Sequence, residues 1–124
     1  LAVEAILAHL SERAKQPLSL EQLLYRWSHF VLQVEIGYDY SIYDYINDLS
    51  VRDLLEEILV QVPSLLREKL AQQIRTWDER FYKATQETEK PLVNADGLSS
   101  WWFRVPKLPG DELRSDLIAR GYYA

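Results

Sequence analysis

The sequence contains no cysteine and no methionine among its 124 residues. Without a thiol the chain can form neither a disulfide nor a cysteine-ligated zinc site, and thiolate catalysis is excluded. A composition without cysteine suits a reducing compartment, so we expect a cytoplasmic protein. Because methionine is absent, we also expect that a native start residue has been removed. No apolar run approaches the roughly 18 residues that a membrane-spanning helix needs, so we expect no contact with a membrane.

Side chains that carry catalysis are scarce as well, since the chain has only two histidines. His9 lies off the apolar side of the first predicted helix and is predicted on the surface. His29 lies between Tyr25 and Leu32 at helical spacing, and we interpret it as an interior histidine. The alternative is an enzyme or ligand-binding bundle with a pocket around His29, Tyr25 and Trp27. No phosphate loop, nucleophile elbow or calcium-loop spacing is present, so we predict a non-enzymatic protein without catalytic residues, cofactor or metal.

Basic side chains are also fewer than acidic ones, with 14 lysines and arginines against 19 aspartates and glutamates. The net charge is −5 and the pI about 5.0, so the chain has no general attraction for nucleic acid. Arg104 and Lys107 beside three aromatic residues are too few to predict a single-strand binding surface. The composition is 48% hydrophobic and 27% charged, which is typical of a globular domain with one core.

Apolar residues recur at helical spacing through most of the chain, which predicts an all-α, single-domain bundle of four to five main helices. The first helix places five residues on one side and ends at Pro17; these residues are Val3, Ile6, Leu7, Leu10 and Ala14. The second helix, about 20–36, begins after a Ser19 cap and ends at Gly37. It carries a broad apolar face and, opposite it, a second stripe: Tyr25, His29, Leu32 and Ile36. Because a helix with two apolar sides is usually buried on both, we expect it at the centre of the bundle.

Helix-start signals divide the next segment. Ser41 and Ser50 are each followed three residues later by an aspartate, and this pattern predicts a short helix over 42–48 and a new helix over 51–61. Arg52 is expected to face outward on the latter. Pro63 suits the start of the longest helix, which has one apolar stripe: Leu66, Leu70, Ile74, Trp77, Phe81 and Ala84. No strand is predicted.

The last third of the chain combines three prolines with the sequence Trp101-Trp102-Phe103. Residues 86–110 form a long connection, and a short helix is predicted over 111–120. Three consecutive large aromatic residues favour an arm that packs on the protein. We therefore expect one domain over 1–124, with a helical core over 1–85 and an extended arm and short helix over 86–124.

The sequence IGYDYSIYDYINDLS, residues 36–50, has four tyrosines and three aspartates but no lysine or arginine. Residues 35–57 contain seven acidic side chains and a single basic one, so most of the net charge originates there. Asp44 and Asp53 are explained as helix-start residues, whereas Asp48, Glu56 and Glu57 have no such local role. We predict a partner-binding face with these members: Tyr38, Tyr40, Tyr43, Asp44, Asp48, Glu56 and Glu57. A solvated acidic face with partly packed tyrosines is the alternative.

Acidic helices with exposed tyrosines make residues 35–57 similar in composition to the small helical immunity proteins that neutralise basic nuclease toxins. This resemblance implies an interaction protein of immunity or antitoxin type that binds a basic protein surface. The alternative is an accessory or structural subunit that self-associates or docks through exposed tyrosines and the tryptophan arm. Homo-oligomerisation therefore stays open at this point.

Overall fold

The computed structural model describes residues 2–14 and 18–123. Within these ranges the elements follow in the order α1 (Ala2–Ala14), α2 (Leu20–Ile36), α3 (Ile42–Gln61), α4 (Ser64–Ala84), β1 (Thr85–Glu87), a 3-10 turn (Ser100–Phe103), β2 (Arg104–Pro106) and α5 (Asp111–Ala119). The predicted all-α bundle is thereby confirmed. Three parts of the predicted first helix lie outside the described residues: Pro17 and the side chains of Val3 and Ala14.

The second helix has the predicted bounds because both of its ends are set by local chemistry. Ser19 Oγ accepts a hydrogen bond from the Gln22 backbone N–H at 3.1 Å. Gly37 ends the helix with a φ of 116°, which glycine adopts without steric cost. The inner face of α2 packs against both α3 and α4, and its buried residues are Leu23, Trp27, Phe30, Val31 and Val34.

Residues 42–61 form one continuous helix, so the predicted break at Ser50 is wrong. The capping box at Ser41 and Asp44 does begin the helix, with the Asp44 N–H donating to Ser41 Oγ at 3.1 Å. Ser50 instead donates its hydroxyl to the Asn47 carbonyl at 2.6 Å, inside the helix. Side chains on both sides of Ser50 are buried in the bundle, and these are Leu49, Val51, Arg52 and Leu55. Tertiary burial therefore overrides the local start signal.

The fourth helix begins after Pro63, as predicted, but its apolar stripe is buried only in part. Leu70, Ile74 and Phe81 lie in the core. Leu66 is exposed, as are all residues from 64 to 69 at the start of α4. The predicted burial of Leu66 is therefore wrong.

Aromatic rings occupy the centre of the bundle. The Phe30 ring centroid lies 5.3 Å from that of Tyr45, 5.5 Å from that of Tyr38 and 6.0 Å from that of Phe81. Rings at these separations and tilted angles attract each other beyond the burial of their surface. The core thus joins α2, α3, α4 and the segment between α2 and α3.

The C-terminal arm is packed on the helices, as predicted, and Trp101 and Trp102 are buried. Strand β1 continues directly from α4 and pairs antiparallel with β2, so that Gln86 lies opposite Val105. The sequence does not predict this two-stranded sheet, because strands of three residues are too short to show a period of two. The sheet returns the chain to the core, where α5 packs on α3.

The central ring cluster yields the first testable prediction. Phe81→Ala removes a fully buried ring that contacts Trp27 and Phe30, and it should lower the free energy of unfolding by about 3–5 kcal/mol. Urea unfolding followed by circular dichroism measures this loss. Leu65→Ala is the control, because Leu65 is 82% exposed and its removal should change stability by less than about 0.5 kcal/mol. Equal effects of the two substitutions would contradict the assignment of the core.

Candidate functional site

Tyr38 lies inside the protein, so its predicted place on the binding face is wrong. Its side chain is almost fully buried against the rings of Phe30 and Tyr45. A helix that ends on a left-handed glycine commonly packs the next apolar residue against its last turns, and Gly37 sets this geometry here. The Tyr38 hydroxyl donates to Asp48 Oδ2 at 2.5 Å. Burial, followed by this hydrogen bond to a carboxylate, raises the pKa of Tyr38 well above its usual range.

Three glutamates of the acidic segment are paired with arginines. Glu57 accepts a hydrogen bond from Arg13 of α1 at 2.8 Å, although 44 residues separate the two in sequence. Glu56 lies 3.1 Å from an Arg52 nitrogen one helical turn away. Glu35 is paired with Arg80 of α4, and this hydrogen bond lowers the pKa of the Glu35 carboxyl. Glu56 and Glu57 have no helix-start role, as expected, but both have an arginine partner within the chain. Arg52 lies on the same helix as Glu56, whereas the bundle brings Arg13 of α1 next to Glu57.

The aspartates of the segment differ from the glutamates in the charge of their partners. Asp44 accepts from the Ser41 backbone N–H and hydroxyl. Asp48 accepts from the Tyr38 hydroxyl. Within the described ranges no arginine or lysine lies within ion-pair distance of these two carboxylates. Hydrogen bonds from uncharged groups leave the negative charge in place, so it persists at the start of α3.

Two more aspartates join the N-termini of α3 and α5. Asp39 Oδ1 accepts a hydrogen bond from the Glu112 backbone N–H at 2.9 Å, and Asp116 Oδ2 accepts one from the Ile42 N–H at 2.9 Å. Each helix thus supplies, or is preceded by, the carboxylate that caps the other. Gly110 permits this approach, because a Cβ at that position would lie 2.4 Å from the Asp39 Cβ.

Two of the predicted tyrosines do lie on the surface beside these carboxylates. The side chain of Tyr40 is 50% exposed and that of Tyr43 is 71% exposed. The Tyr40 ring packs edge-on against Tyr38 at 5.4 Å, and the Arg120 guanidinium carbon lies 5.1 Å from the Tyr43 ring centroid. We call this surface the acidic corner and define it by six residues: Asp39, Tyr40, Tyr43, Asp44, Asp48 and Asp116.

Asp53 holds the arm, a role that the sequence analysis missed. Its two carboxylate oxygens accept the indole N–H groups of Trp101 and Trp102 at 2.8 Å each. The available signal was the pair of consecutive tryptophans, since buried indole N–H groups need acceptors. The sequence does not identify which carboxylate serves. Because both rings are buried, they offer little exposed surface for the docking that the alternative function assigns to the arm.

Arg52 is buried rather than directed outward. Its guanidinium donates two hydrogen bonds to Asp78 of α4, both at 2.9 Å. It also lies 4.4 Å from the centroid of the Trp101 ring. Asp78 accepts the Trp27 indole N–H as well, at 3.0 Å. Arg52 therefore serves the interior of the bundle, and the prediction of an outward position is wrong.

The second apolar side of α2 is exposed, so the expected burial on two sides is wrong. Tyr25 is 65% exposed, Ile36 is 85% exposed, and His29 and Leu32 are exposed as well. The Tyr25 and His29 rings stack at 5.6 Å with an angle of 11° between their planes. We call these four residues the α2 stripe. The interpretation of His29 as an interior residue is therefore wrong. Trp27 points into the core on the other side of α2, so the alternative pocket around His29, Tyr25 and Trp27 is not formed either.

Metal centres and membrane spans are two kinds of feature that the described residues do not form. Across residues 2–14 and 18–123, no group of three or more histidine or acidic side chains has an arrangement that could bind a metal ion. In the same ranges, no helix combines the length and the hydropathy that are needed to cross a membrane. His9 is exposed, as predicted.

Replacement of Asp53 tests how the arm is attached. Asparagine has one acceptor oxygen, so Asp53→Asn leaves one indole N–H facing an amide donor and should lower stability by about 1.5–3 kcal/mol. Urea unfolding followed by tryptophan fluorescence measures the change. Asp96→Asn, at an exposed loop position, is the matched control and should have little effect. Identical midpoints for the two variants would rule out the proposed attachment.

The raised pKa of Tyr38 predicts sensitivity to alkali. A group whose pKa is higher in the folded state contributes stability below its unfolded pKa, and this contribution is lost as the pH rises. The free energy of unfolding should therefore fall above about pH 10, the ordinary tyrosine pKa. Tyr38→Phe removes one ionisable group and should make that fall shallower, as measured by urea unfolding from neutral to alkaline pH. An unchanged slope would contradict the prediction.

Comparisons of the chain with known protein families, with curated proteins and with solved structures find no match. The function is therefore argued from the geometry of this chain alone. Its two distinctive surfaces are the acidic corner and the α2 stripe.

Proposed function

We propose that this chain is a non-enzymatic interaction protein of immunity or antitoxin type, which binds a basic protein surface through the acidic corner. The proposal rests on one difference among the acidic side chains: some carboxylates have a charged partner, and others have only uncharged hydrogen-bond donors. The aspartates of the corner are hydrogen-bonded to backbone N–H and hydroxyl groups, whereas Glu35, Glu56 and Glu57 are paired with arginines. Among the described residues, the four aspartates of the corner therefore form no ion pair with an arginine or lysine.

The geometry also supports a preformed surface. The carboxylates of Asp39, Asp44 and Asp116 are fixed by backbone hydrogen bonds at helix N-termini. A surface that is already ordered loses little conformational entropy when a partner binds, which favours affinity. The corner therefore presents negative charge in a defined arrangement.

Tyr40 and Tyr43 supply the contact area that charge alone does not provide. Tyrosine is enriched at protein interfaces, because its ring buries a large area and its hydroxyl still forms hydrogen bonds. A basic partner brings arginines, which pack on tyrosine faces as Arg120 does on Tyr43. The partner's arginines would replace that intramolecular contact or add to it.

The net charge of −5 suits the same partner. Opposite charges on two proteins accelerate their association, and this acceleration is lost at high salt. We accordingly expect binding that is fast at low ionic strength and that weakens steeply as salt is added.

The test is a capture experiment followed by measured binding. The purified chain is used to isolate partners from an extract of its native host, and the captured protein is then purified for kinetics by surface plasmon resonance. We expect a basic protein. A variant that combines Tyr40→Ala, Tyr43→Ala and Asp44→Asn should weaken its binding at least about tenfold. Loss of the two rings should speed dissociation, and loss of the Asp44 charge should slow association. The Asp44→Asn change keeps a side-chain oxygen that can accept from the Ser41 N–H, so the fold should persist.

The matched control combines Glu56→Gln and Glu57→Gln. Glu57 is paired with Arg13, and Glu56 shares Arg52 with Asp78, so both carboxylates already have a basic neighbour in their own chain. This pair of changes should therefore weaken binding less than about threefold. Circular dichroism checks that all variants are folded. The proposal fails if the captured protein is acidic, if the corner variant binds like wild type, or if salt has no effect.

A further inference from the structure

The α2 stripe is an exposed apolar surface that the acidic corner does not explain. Its four side chains lie on one side of a single helix and span three turns. Contiguous apolar side chains of this size in water commonly mark a surface that associates with another protein. The question is which partner fits the arrangement.

The spacing of the stripe is symmetric. Tyr25, His29, Leu32 and Ile36 follow one another at intervals of four, three and four residues. Read from either end, the stripe has the same spacing, so a second copy lying antiparallel places Tyr25 opposite Ile36 and His29 opposite Leu32. A two-fold axis relates such a pair, and the same patch then serves both copies.

Shape supports the same pairing. Ile36 is the most exposed of the large apolar side chains on α2. An open groove of about 400 Å³ lies at the other end of the stripe, between α2 and α4, and it is lined by Leu24, Tyr25, Ser28, Gln73, Thr76 and Trp77. Tyr25 and Ile36 are separated by about 16 Å along the helix. An antiparallel copy brings its Ile36 beside this groove, and the arrangement is repeated at the symmetry-related end.

The charges around the stripe permit two identical faces to meet. The flanking positions on α2 and α4 include the uncharged residues Ser28, Gln33, Gln73 and Thr76. Glu35 is compensated by Arg80 of its own chain. Arg26 lies opposite position 35 of the other copy in this register, so the two Arg26 side chains are about 13 Å apart along the axis. No like charges are therefore brought into direct contact along α2.

We propose that the α2 stripe is the interface of a two-fold symmetric homodimer in which the α2 helices of two copies lie antiparallel. This inference does not depend on the proposed partner of the acidic corner. It assigns to the stripe a second copy of this chain rather than a heterologous protein.

Sedimentation velocity of the purified chain tests the dimer. The wild type should change from the mass of one chain to twice that mass as its concentration is raised from about 5 to 500 µM. Leu32→Asp and, separately, Ile36→Asp should shift this transition at least about tenfold higher in concentration. Leu65→Asp is the matched control, since Leu65 is an equally apolar, exposed helix residue outside the stripe. The control and the acidic-corner variant should dimerise like wild type.

Disulfide cross-linking tests the register, because the chain has no cysteine of its own. A mixture of Tyr25→Cys and Ile36→Cys chains should give a cross-linked heterodimer under mild oxidation. Neither variant alone should cross-link, since equivalent positions are about 16 Å apart and a disulfide needs Cα atoms within about 7 Å. Both positions are exposed, so folding should be preserved.

Three results would overturn the proposal. The first is a monomer at every concentration, including the case in which only a captured heterologous protein covers the stripe. The second is a dimer that Leu65→Asp weakens and both stripe substitutions leave intact. The third is a cross-linked homodimer of each single-cysteine variant without a cross-linked heterodimer in the mixture, which indicates parallel helices.

Discussion

The buried ion pair between Arg52 and Asp78 is the interaction on which the arrangement of the bundle depends. It joins the middle of α3 to α4 through two hydrogen bonds, and Asp78 extends the network to α2 through the Trp27 indole. Trp101 of the arm lies over the same guanidinium. A buried charge without its partner is very costly, so these elements must assemble in one geometry for either residue to be accommodated. We therefore expect the pair to contribute more to the specificity of packing than to net stability.

Several of the acidic side chains in residues 35–57 accept hydrogen bonds from donors on other elements of the bundle. The segment 39–57 is approached by α1, by the tryptophans of the arm and by the start of α5, and one of its carboxylates accepts a hydrogen bond from each of them. Glu57, Asp53 and Asp39 are examples in which the donor is respectively an arginine, an indole and a backbone amide. An acidic segment of this kind joins several elements of the bundle to one another. The part of its charge that is met only by neutral donors is then available at the surface.

The sequence predicts those parts of the fold that local chemistry determines. Ser19 and Gly37 indicate both ends of α2, because cap hydrogen bonds and a left-handed glycine act within a few residues. Burial is predicted less well, since it depends on which elements lie nearby. Tyr38 is buried and the α2 stripe is exposed for this reason, and Ser50 is carried into a helix by apolar neighbours. For the candidate site, the exposure of Tyr40 and Tyr43 is predictable from the sequence. Arg13 and Arg80, which pair with Glu57 and Glu35 of the acidic segment, come from distant elements and are not.

The mutual capping of α3 and α5 has a consequence for the order in which the chain becomes structured. The two contacts join residues 73 and 74 positions apart, and α5 has nine residues, too few to be stable as an isolated helix. During synthesis α3 leaves the ribosome well before α5. The Ile42 backbone N–H therefore lacks its acceptor, Asp116, until α5 has been made. The surface around Asp39 and Tyr43 is therefore among the last parts of the molecule to reach its final form. The binding surface that we propose there would therefore be incomplete in a nascent chain until the whole bundle had closed.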